Sequence, residues 1–200
     1  MKSVFRSFIA IDLSEDIIHR IREISSGLQE RMGGLPVRWI PAENVHLTLK
    51  FLGDVSATNV ERLAEIIRRV ALAHECFEIS VGSLGVFPNA RRPRVIWLGV
   101  EAPQALYSIQ RGVDQETSRL GYETKEQDFS PHLTFGRVSR GADYRELKAI
   151  SELLETETVG FLGAARVEQV NLYRSDLKPT GAEYSVVYTG KLLDEKNPKI

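Results

Sequence analysis

A four-residue pattern that pairs a histidine with a threonine occurs twice in the chain. The copies are His46-Leu47-Thr48-Leu49 and His132-Leu133-Thr134-Phe135. Each copy lies in a run that predicts a β-strand, over residues 45–52 and 129–138. Because successive side chains of a strand point to opposite faces, the histidine and the threonine two residues later share a face. Each predicted strand therefore has a polar front with an imidazole and a hydroxyl, and an apolar back.

Two such faces suit chemistry on a phosphate group. An imidazole with an ordinary pKa of about 6.5 is available in both protonation states, so one histidine can take a proton while the other gives one. Thr48 and Thr134 could donate hydrogen bonds to the non-bridging phosphate oxygens, where negative charge must be held. For either copy alone, the alternative is an edge strand with a solvated polar face. The repetition after 86 residues, from position 46 to position 132, favours two polar faces that meet across a cleft.

Two basic residues follow the motifs on the same strands. Arg137 lies five residues after His132, an odd offset that a regular strand would send to the back face. Gly136 permits a kink or bulge that could turn the guanidinium forward to hold the phosphate, and a solvated strand end is the alternative. Lys50 shares the front face with His46 by alternation, but it could simply reach solvent. By the same alternation, Phe51 is expected on the apolar back of the strand.

Composition limits the class of protein. The 200 residues, 42% of them hydrophobic, are enough for one packed domain. A single cysteine, Cys76, excludes an internal disulfide and a thiolate metal cluster, and it fits a reducing, cytoplasmic location. No apolar run is long enough to span a membrane, so we expect no membrane partner. A net charge of −1 argues against a protein that coats nucleic acid, but it permits a local basic site.

Metal and cofactor signatures are missing from the sequence. The two motif histidines have no obvious third ligand, and neither an H-E-x-x-H pattern nor a G-x-x-x-x-G-K-[ST] phosphate loop occurs. We therefore expect catalysis without a metal or another cofactor.

The surrounding periodicity supplies the elements that would position the motifs. Helices are predicted around residues 15–32, from a Thr58/Glu61 capping box onward, around 106–120 and around 147–154. Further strands are predicted over residues 6–13, 37–40, 77–87, 95–100, 165–174 and 184–192. A turn is predicted over residues 178–181, and residues 194–200 are expected to be a frayed tail. Each motif strand is followed by a helix, a strand, a turn and a strand. This order predicts an α+β fold with antiparallel sheets in two lobes and helices packed outside, as a single domain over residues 1–200.

The paired motifs resemble the two H-x-T-x motifs of the two-histidine phosphoesterase superfamily. Residues 6–11, 44–53 and 131–138 are similar to the bacterial and archaeal RNA 2′,3′-cyclic phosphodiesterases, once called 2′-5′ RNA ligases, and the likeness spans nearly the whole chain. The resemblance implies a pseudo-twofold fold with a central cleft. It also implies that His46 is the proton donor and His132 the proton acceptor in hydrolysis of RNA 2′,3′-cyclic phosphate ends to 2′-phosphomonoesters.

The resemblance leaves several functions open. The same site could act on other cyclic phosphates or on 2′-5′ linkages, or it could run backwards as a ligase of tRNA halves. From a different class, the protein could be an RNA-end or nucleotide-binding module without turnover. We expect a monomer whose partner is RNA with 2′,3′-cyclic phosphate ends.

Two further groups could contact such an RNA. Phe8 lies opposite the aliphatic row of its strand, so its ring could stack on the terminal base, and core packing is the alternative. The tip between the strands predicted over 77–87 and 95–100 carries Arg91, Arg92 and Arg94. These arginines could hold a longer RNA backbone through charge, and a solvated loop is the alternative.

Overall fold

The structure is a computed structural model that describes residues 4–124, 128–179 and 181–194. Its helices are α1 (Glu15–Arg31), α2 (Ala57–Ala71), α3 (Gln104–Ser118) and α4 (Tyr144–Glu155). Its strands are β1 (Val4–Ile11), β2 (Val37–Trp39), β3 (Leu47–Ser56), β4 (Phe77–Phe87), β5 (Val95–Glu101), β6 (His132–Val138), β7 (Phe161–Val167), β8 (Gln169–Lys178) and β9 (Gly181–Lys191). A 3₁₀ turn, Ala42–Asn44, leads into the first motif.

The strands form two antiparallel sheets. The first has the order β3-β1-β8-β9 and the second the order β2-β6-β5-β4-β7. The two motif strands occupy related places, because β3 lies beside β1 and β6 lies beside β5, with β2 added outside β6. The predicted α+β class with antiparallel sheets and helices is confirmed.

One predicted strand is two strands in the structure. The continuous β pattern over 165–174 hides a break at Glu168, where the chain leaves one sheet and enters the other. Strand β7 pairs with β4 in the second sheet, whereas β8 pairs with β1 and β9 in the first. Alternation along a sequence reports a strand but not its neighbours, so only the tertiary pairing reveals the switch.

The predicted cap of the second helix is also wrong. Helix α2 begins at Ala57 with Ser56 as its N-cap, and no side chain caps it. Thr58 shares a hydrogen bond with the Ser56 hydroxyl instead of capping a backbone N–H. A capping box does form at α4, where Asp143 and Glu146 bond each other's backbone N–H groups. In the predicted turn over 178–181, Thr180 lies outside the described residues, as does the predicted tail beyond Asp194.

A contiguous hydrophobic core includes side chains from both sheets and all four of these helices. The backs of the motif strands belong to it, since Leu47, Leu133 and Phe135 have no exposed surface. The core is therefore common to both sheets, and the single two-lobed domain stays a prediction. None of the helices in the described ranges is long and apolar enough to cross a membrane.

Candidate active site

Both motif strands carry a β-bulge directly after the motif threonine. On β3, Thr48 pairs with Ala10 but Lys50 already pairs with Ile9, so Leu49 is an extra residue. On β6, Thr134 pairs with Trp97 but Gly136 pairs with Ile96, which makes Phe135 the extra residue. A bulge shifts the alternation of a strand by one residue. The residues directly after each bulge therefore exchange faces relative to a regular strand. On β3 this exchange ends at a second bulge at Leu52, because Phe51 pairs with Phe8 and Gly53 pairs with Ser7.

The bulge on β6 turns Arg137 to the same face as His132 and Thr134, as the sequence predicted. These three residues pair with Val95, Gly99 and Trp97, which are alternate residues of β5 and so share a face. The bulge lies one residue earlier than expected, at Phe135 and not at Gly136. Arg137 is exposed and lines the cavity between the motifs.

The equivalent bulge on β3 overturns the predicted placement of Lys50 and Phe51. Lys50 pairs with Ile9 on the core face, and only 6% of it is exposed. Its ammonium donates hydrogen bonds to the carboxylate of Asp114 at 2.6 Å and to backbone carbonyls of Asp114 and Tyr122. Phe51, expected on the apolar back, faces the cleft and is 54% exposed. Phe51 is thus the counterpart of Arg137 on the other motif strand.

The two motif histidines are anchored in the same way. The Nδ1 atom of His46 lies 2.9 Å from the carbonyl oxygen of Asn44, and that of His132 lies 2.7 Å from the carbonyl oxygen of Ser130. A carbonyl oxygen only accepts hydrogen bonds, so Nδ1 is the donor in both rings. This leaves Nε2 of each ring to exchange a proton with a ligand.

Aromatic rings surround each imidazole. The ring of Phe8 stacks on that of His46, with centroids 4.5 Å apart, and the ring of Tyr184 is nearly perpendicular to that of His46, with centroids 5.4 Å apart. On the other strand, Phe87 meets the His132 ring edge-on at 5.0 Å. These contacts restrict the rotation of both imidazoles.

Burial among these rings lowers the pKa of His46. A hydrogen bond to Asn44 and the negative charge of Asp12 oppose this shift without cancelling it. Asp12 itself accepts hydrogen bonds from Tyr173 and from Asn171. Burial, and next the bond to Asp12, raise the pKa of Tyr173, so its hydroxyl remains a donor at neutral pH. His46 therefore sits in a more apolar setting than an ordinary surface histidine.

One cavity of about 1150 Å³ brings the predicted residues together. It is lined by both motif histidines, both motif threonines and the arginine of β6, which are His46, His132, Thr48, Thr134 and Arg137. Its volume exceeds the range typical of pockets for small ligands, about 300 to 1000 Å³, so it has room for more than one nucleotide. Among the described residues, no cluster of three or more histidine, cysteine, aspartate or glutamate side chains is arranged to hold a metal ion.

The hypothesis that Phe8 stacks on a base is wrong. Its side chain faces the cleft side of β1, but only 3% of it is exposed, beneath the rings of His46, Tyr173 and Tyr184. A base needs a free ring face on which to stack. Phe8 therefore packs in the core, the alternative stated above, and supports His46 from behind.

The three arginines of the β4–β5 tip do not line the cavity. Arg94 donates a hydrogen bond to the backbone carbonyl of Ser139. Arg91 and Arg92 are exposed. Their proposed contact with a longer RNA stays a prediction.

Sequence reasoning missed several residues around the site. Tyr173, Tyr184, Phe87 and Trp97 surround the two histidines, and Arg38 lines the cavity beside Arg137. These positions come from strands whose neighbours cannot be read from a single sequence. The alternation of β5 indicates that Val95, Trp97 and Gly99 share one face of that strand. It does not indicate that this face belongs to the site, because the sequence does not show that β5 lies beside β6.

Several relatives are similar to this chain over nearly their full length. An RNA 2′,3′-cyclic phosphodiesterase of Methanothermobacter thermautotrophicus is 40% identical over 182 residues, which cover 90% of this chain and 95% of that relative. The protein of the same name from Thermotoga maritima is 36% identical over 183 residues, covering 92% of this chain and 93% of the relative.

Solved structures have the same fold. The crystal structure of Escherichia coli LigT complexed with 3′-AMP superposes with a TM-score of 0.76 at 25% identity, over 95% of this chain and 99% of that one. A protein of Thermus thermophilus superposes with a TM-score of 0.77, also at 25% identity and with the same coverage.

A family model accounts for the internal repeat. The model of the LigT-like phosphoesterases matches the chain twice, over residues 11–97 and 98–184. Each match contains one motif strand, and the two matches begin 87 residues apart, close to the 86 residues that separate the motif histidines. The duplicated motifs, the shared cavity and these matches together show that the chain belongs to the LigT-like phosphoesterase family.

Proposed function

We propose that the protein hydrolyses the 2′,3′-cyclic phosphate ends of RNA to 2′-phosphomonoesters by paired histidine acid-base catalysis. The observation that carries this proposal is the convergence of two identically anchored imidazoles, each with a threonine beside it, on one cavity. The names of the relatives, RNA 2′,3′-cyclic phosphodiesterases, support the choice of substrate.

The proposed reaction is an in-line displacement at phosphorus. His132 accepts a proton from water through Nε2 as the water oxygen attacks, and the bond to the 3′ oxygen breaks. His46 gives its Nε2 proton to that departing oxygen, which leaves a free 3′ hydroxyl and a 2′ phosphate. In-line geometry places the attacking and leaving oxygens on opposite sides of the phosphorus, as expected for two groups supplied by different sheets.

The remaining cavity residues would stabilise the phosphate. Thr48 and Thr134 can donate hydrogen bonds to the non-bridging oxygens, and the fork of Arg137 can bind two of them at once. All the charge stabilisation in this scheme comes from protein hydrogen-bond donors, so no metal is assigned to it.

The lowered pKa of His46 bears on its role as proton donor. A general acid must be protonated, and burial favours the neutral ring. The negative charge of a bound phosphate acts in the opposite direction, because an opposite charge nearby stabilises the imidazolium. In the proposed scheme, His46 therefore gains its proton as the substrate binds.

Turnover of a cyclic nucleotide in the presence of EDTA tests the proposal. We expect adenosine 2′,3′-cyclic phosphate to give the 2′-monophosphate, identified by chromatography against both isomers. Formation of the 3′ isomer would contradict the assigned leaving oxygen, and a requirement for added metal would contradict the metal-free scheme. Binding of the cyclic nucleotide without turnover would favour the alternative function, an RNA-end or nucleotide-binding module.

Variants of the two histidines test the catalytic assignment. His46→Gln and His132→Gln should each lower kcat by about 10²- to 10⁴-fold, the range for loss of a positioned acid or base. Because the two groups act in one step, the double variant should be far less impaired than the product of the single effects. Fully multiplicative effects would contradict paired catalysis. Circular dichroism checks that each variant is folded.

Ligation of tRNA halves belongs to the same proposal. The 5′ hydroxyl of one half would take the place of water, so His132 would deprotonate it and His46 would protonate the departing 3′ oxygen. Incubation of tRNA halves that carry a 2′,3′-cyclic phosphate and a 5′ hydroxyl should yield some 2′-5′ linked product. If ligation persists when both histidines are replaced, it uses another site.

A further inference from the structure

Arg38 and Arg137 form a pair of like charges on the part of the cavity wall formed by β2 and β6. They are directly opposite each other where β2 pairs with β6, so their side chains leave the sheet on the same face. Both are exposed, and both line the cavity. Within the described residues, neither guanidinium forms an ion pair with a carboxylate.

Such a pair favours the binding of an anion. Like charges directly opposite each other on neighbouring strands repel, and an anion between them replaces that repulsion by two attractions. Guanidinium groups are also well suited to phosphate, because their planar fork binds two phosphate oxygens at once. The two arginines therefore have the charge and the spacing of a phosphate subsite.

The position of Arg38 separates it from the reacting phosphate. His132, Thr134 and Arg137 follow one another along β6, whereas Arg38 lies on the edge strand β2. Neighbouring strands are roughly 4.8 Å apart, so Arg38 lies one strand farther from the line of the motif. A ligand held between the motif histidines would reach Arg38 only through its next charged group.

The opposite wall of the cavity has a different character. At the position of β3 that corresponds to Arg137, the chain has the exposed ring of Phe51. Leu177, 68% exposed, also lines this wall, and Lys178 is ion-paired with Glu183 at 3.9 Å. An RNA chain that leaves the reacting end therefore meets unneutralised positive charge on the β2–β6 side.

The geometry points to a second phosphate subsite, in which Arg38 binds the phosphodiester on the 5′ side of the terminal nucleotide. Arg137 has five N–H donors, so it can contact this phosphodiester as well as the reacting phosphate. This inference rests on the proposed function, since it takes the cyclic phosphate to lie between His46 and His132. An RNA with a 2′,3′-cyclic end continues only in the 5′ direction, so this phosphodiester is the first backbone phosphate that the site can meet. The ligand class is RNA of at least two nucleotides.

Equilibrium binding tests the subsite without turnover. The ligands are adenosine 3′-phosphate and the dinucleotide ApAp, which adds one internal phosphodiester. The wild type should bind ApAp more tightly, and Arg38→Ala should reduce this preference about tenfold, as expected for a charge-assisted contact. The salt dependence of ApAp binding should also become shallower, by a slope of about 0.7 for one lost phosphate contact on a single strand.

Matched variants keep the test decisive. Arg145→Ala removes an exposed arginine of α4 and should keep the wild-type preference, and Arg38→Gln serves if Arg38→Ala does not fold. The subsite would be overturned if the Arg38 variants kept the wild-type preference for ApAp, or if they lost affinity equally for both ligands. It would also be overturned if the wild type did not prefer ApAp. Hydrolysis of adenosine 2′,3′-cyclic phosphate by the wild type decides the proposed function separately, because it involves no internal phosphodiester.

Discussion

Each motif histidine is held by a hydrogen bond from Nδ1 to a carbonyl two residues earlier, Asn44 for His46 and Ser130 for His132. Identical anchoring presents the same nitrogen, Nε2, in both rings. Any difference between their roles must therefore come from their surroundings. Phe8 stacks on His46, and burial lowers the pKa of that ring.

This shift predicts different pH profiles for kcat/KM and kcat. In the free enzyme, the pKa of His46 lies below the ordinary value of about 6.5. As the pH is raised, His46 therefore loses its proton earlier than an ordinary histidine would. Bound phosphate raises the pKa, so the loss should occur at a higher pH in the complex. The pH profile of kcat/KM reports pKa values of the free enzyme, and that of kcat reports those of the enzyme–substrate complex. The alkaline limb of kcat should therefore lie at a higher pH than that of kcat/KM.

Steady-state kinetics between pH 4.5 and 9 measures both limbs. NMR titration of His46 with and without inorganic phosphate provides an independent control. Coincident alkaline limbs, or a His46 resonance that phosphate does not move, would contradict the role of His46 as an acid that is charged on binding.

The motif threonines give a second prediction at this scale. Thr48→Val and Thr134→Val keep the shape but remove a hydrogen-bond donor, so each should cost about 1 to 3 kcal/mol of transition-state stabilisation. The measurement is kcat/KM for a cyclic mononucleotide. Thr58→Val is the matched control, because Thr58 lies on α2 outside the cavity. Wild-type kinetics for both motif variants would remove the threonines from the phosphate site.

At the scale of elements, the bulge in each motif strand decides which side chains reach the cleft. The extra residues, Leu49 and Phe135, are both buried, so each bulge is fixed by a side chain in the core. Beyond the bulges the two strands differ, with Phe51 on one and Arg137 on the other facing the cavity. The duplicated elements thus supply the same histidine and threonine side chains to the cavity, but different walls.

The first bulge also directs Lys50 toward helix α3, where it pairs with Asp114. Only 4% of the Lys50 side chain is exposed, so Asp114→Ala would leave a buried ammonium without its counter-ion. We expect the free energy of unfolding, measured with urea, to fall by about 3 kcal/mol. This value is at the low end of the range for a broken buried ion pair, because Asp114 is partly exposed to water.

Two further variants make this prediction specific. The double variant Lys50→Met/Asp114→Leu should recover much of the lost stability, since apolar residues often replace a buried ion pair without penalty. Glu65→Ala breaks the exposed pair with Arg68 and should cost much less. If Asp114→Ala is as mild as Glu65→Ala, Lys50 is better hydrated than its burial indicates.

At the scale of the whole molecule, the two halves of the repeat are interleaved. The first sheet combines β1 and β3 with β8 and β9, and the second combines β2 and β4 with β5, β6 and β7. Each sheet therefore contains strands from both halves of the chain, and each contributes one motif strand. The cavity between the motifs depends on the complete pairing of both sheets.

The residues of the two motifs were identified from the sequence itself. The paired motifs identified His46, Thr48, His132 and Thr134 because a strand has a fixed period of two, which places residues i and i+2 on one face whatever surrounds them. Gly136 predicted the irregularity that brings Arg137 forward. Helical and alternating patterns gave the α+β class for the same reason, since amphipathic periodicity is a local property of the chain.

Only the tertiary structure decided what surrounds those residues. Lys50 and Phe51 were placed wrongly, and the burial of Phe8 was left open, because a bulge and the depth of burial depend on partner strands far away in the sequence. The cross-strand pair of Arg38 with Arg137, 99 residues apart by their numbers, is likewise a matter of pairing. Local periodicity fixes which side chains share a strand face, but the neighbours of that face are set by long-range packing, which one sequence does not display.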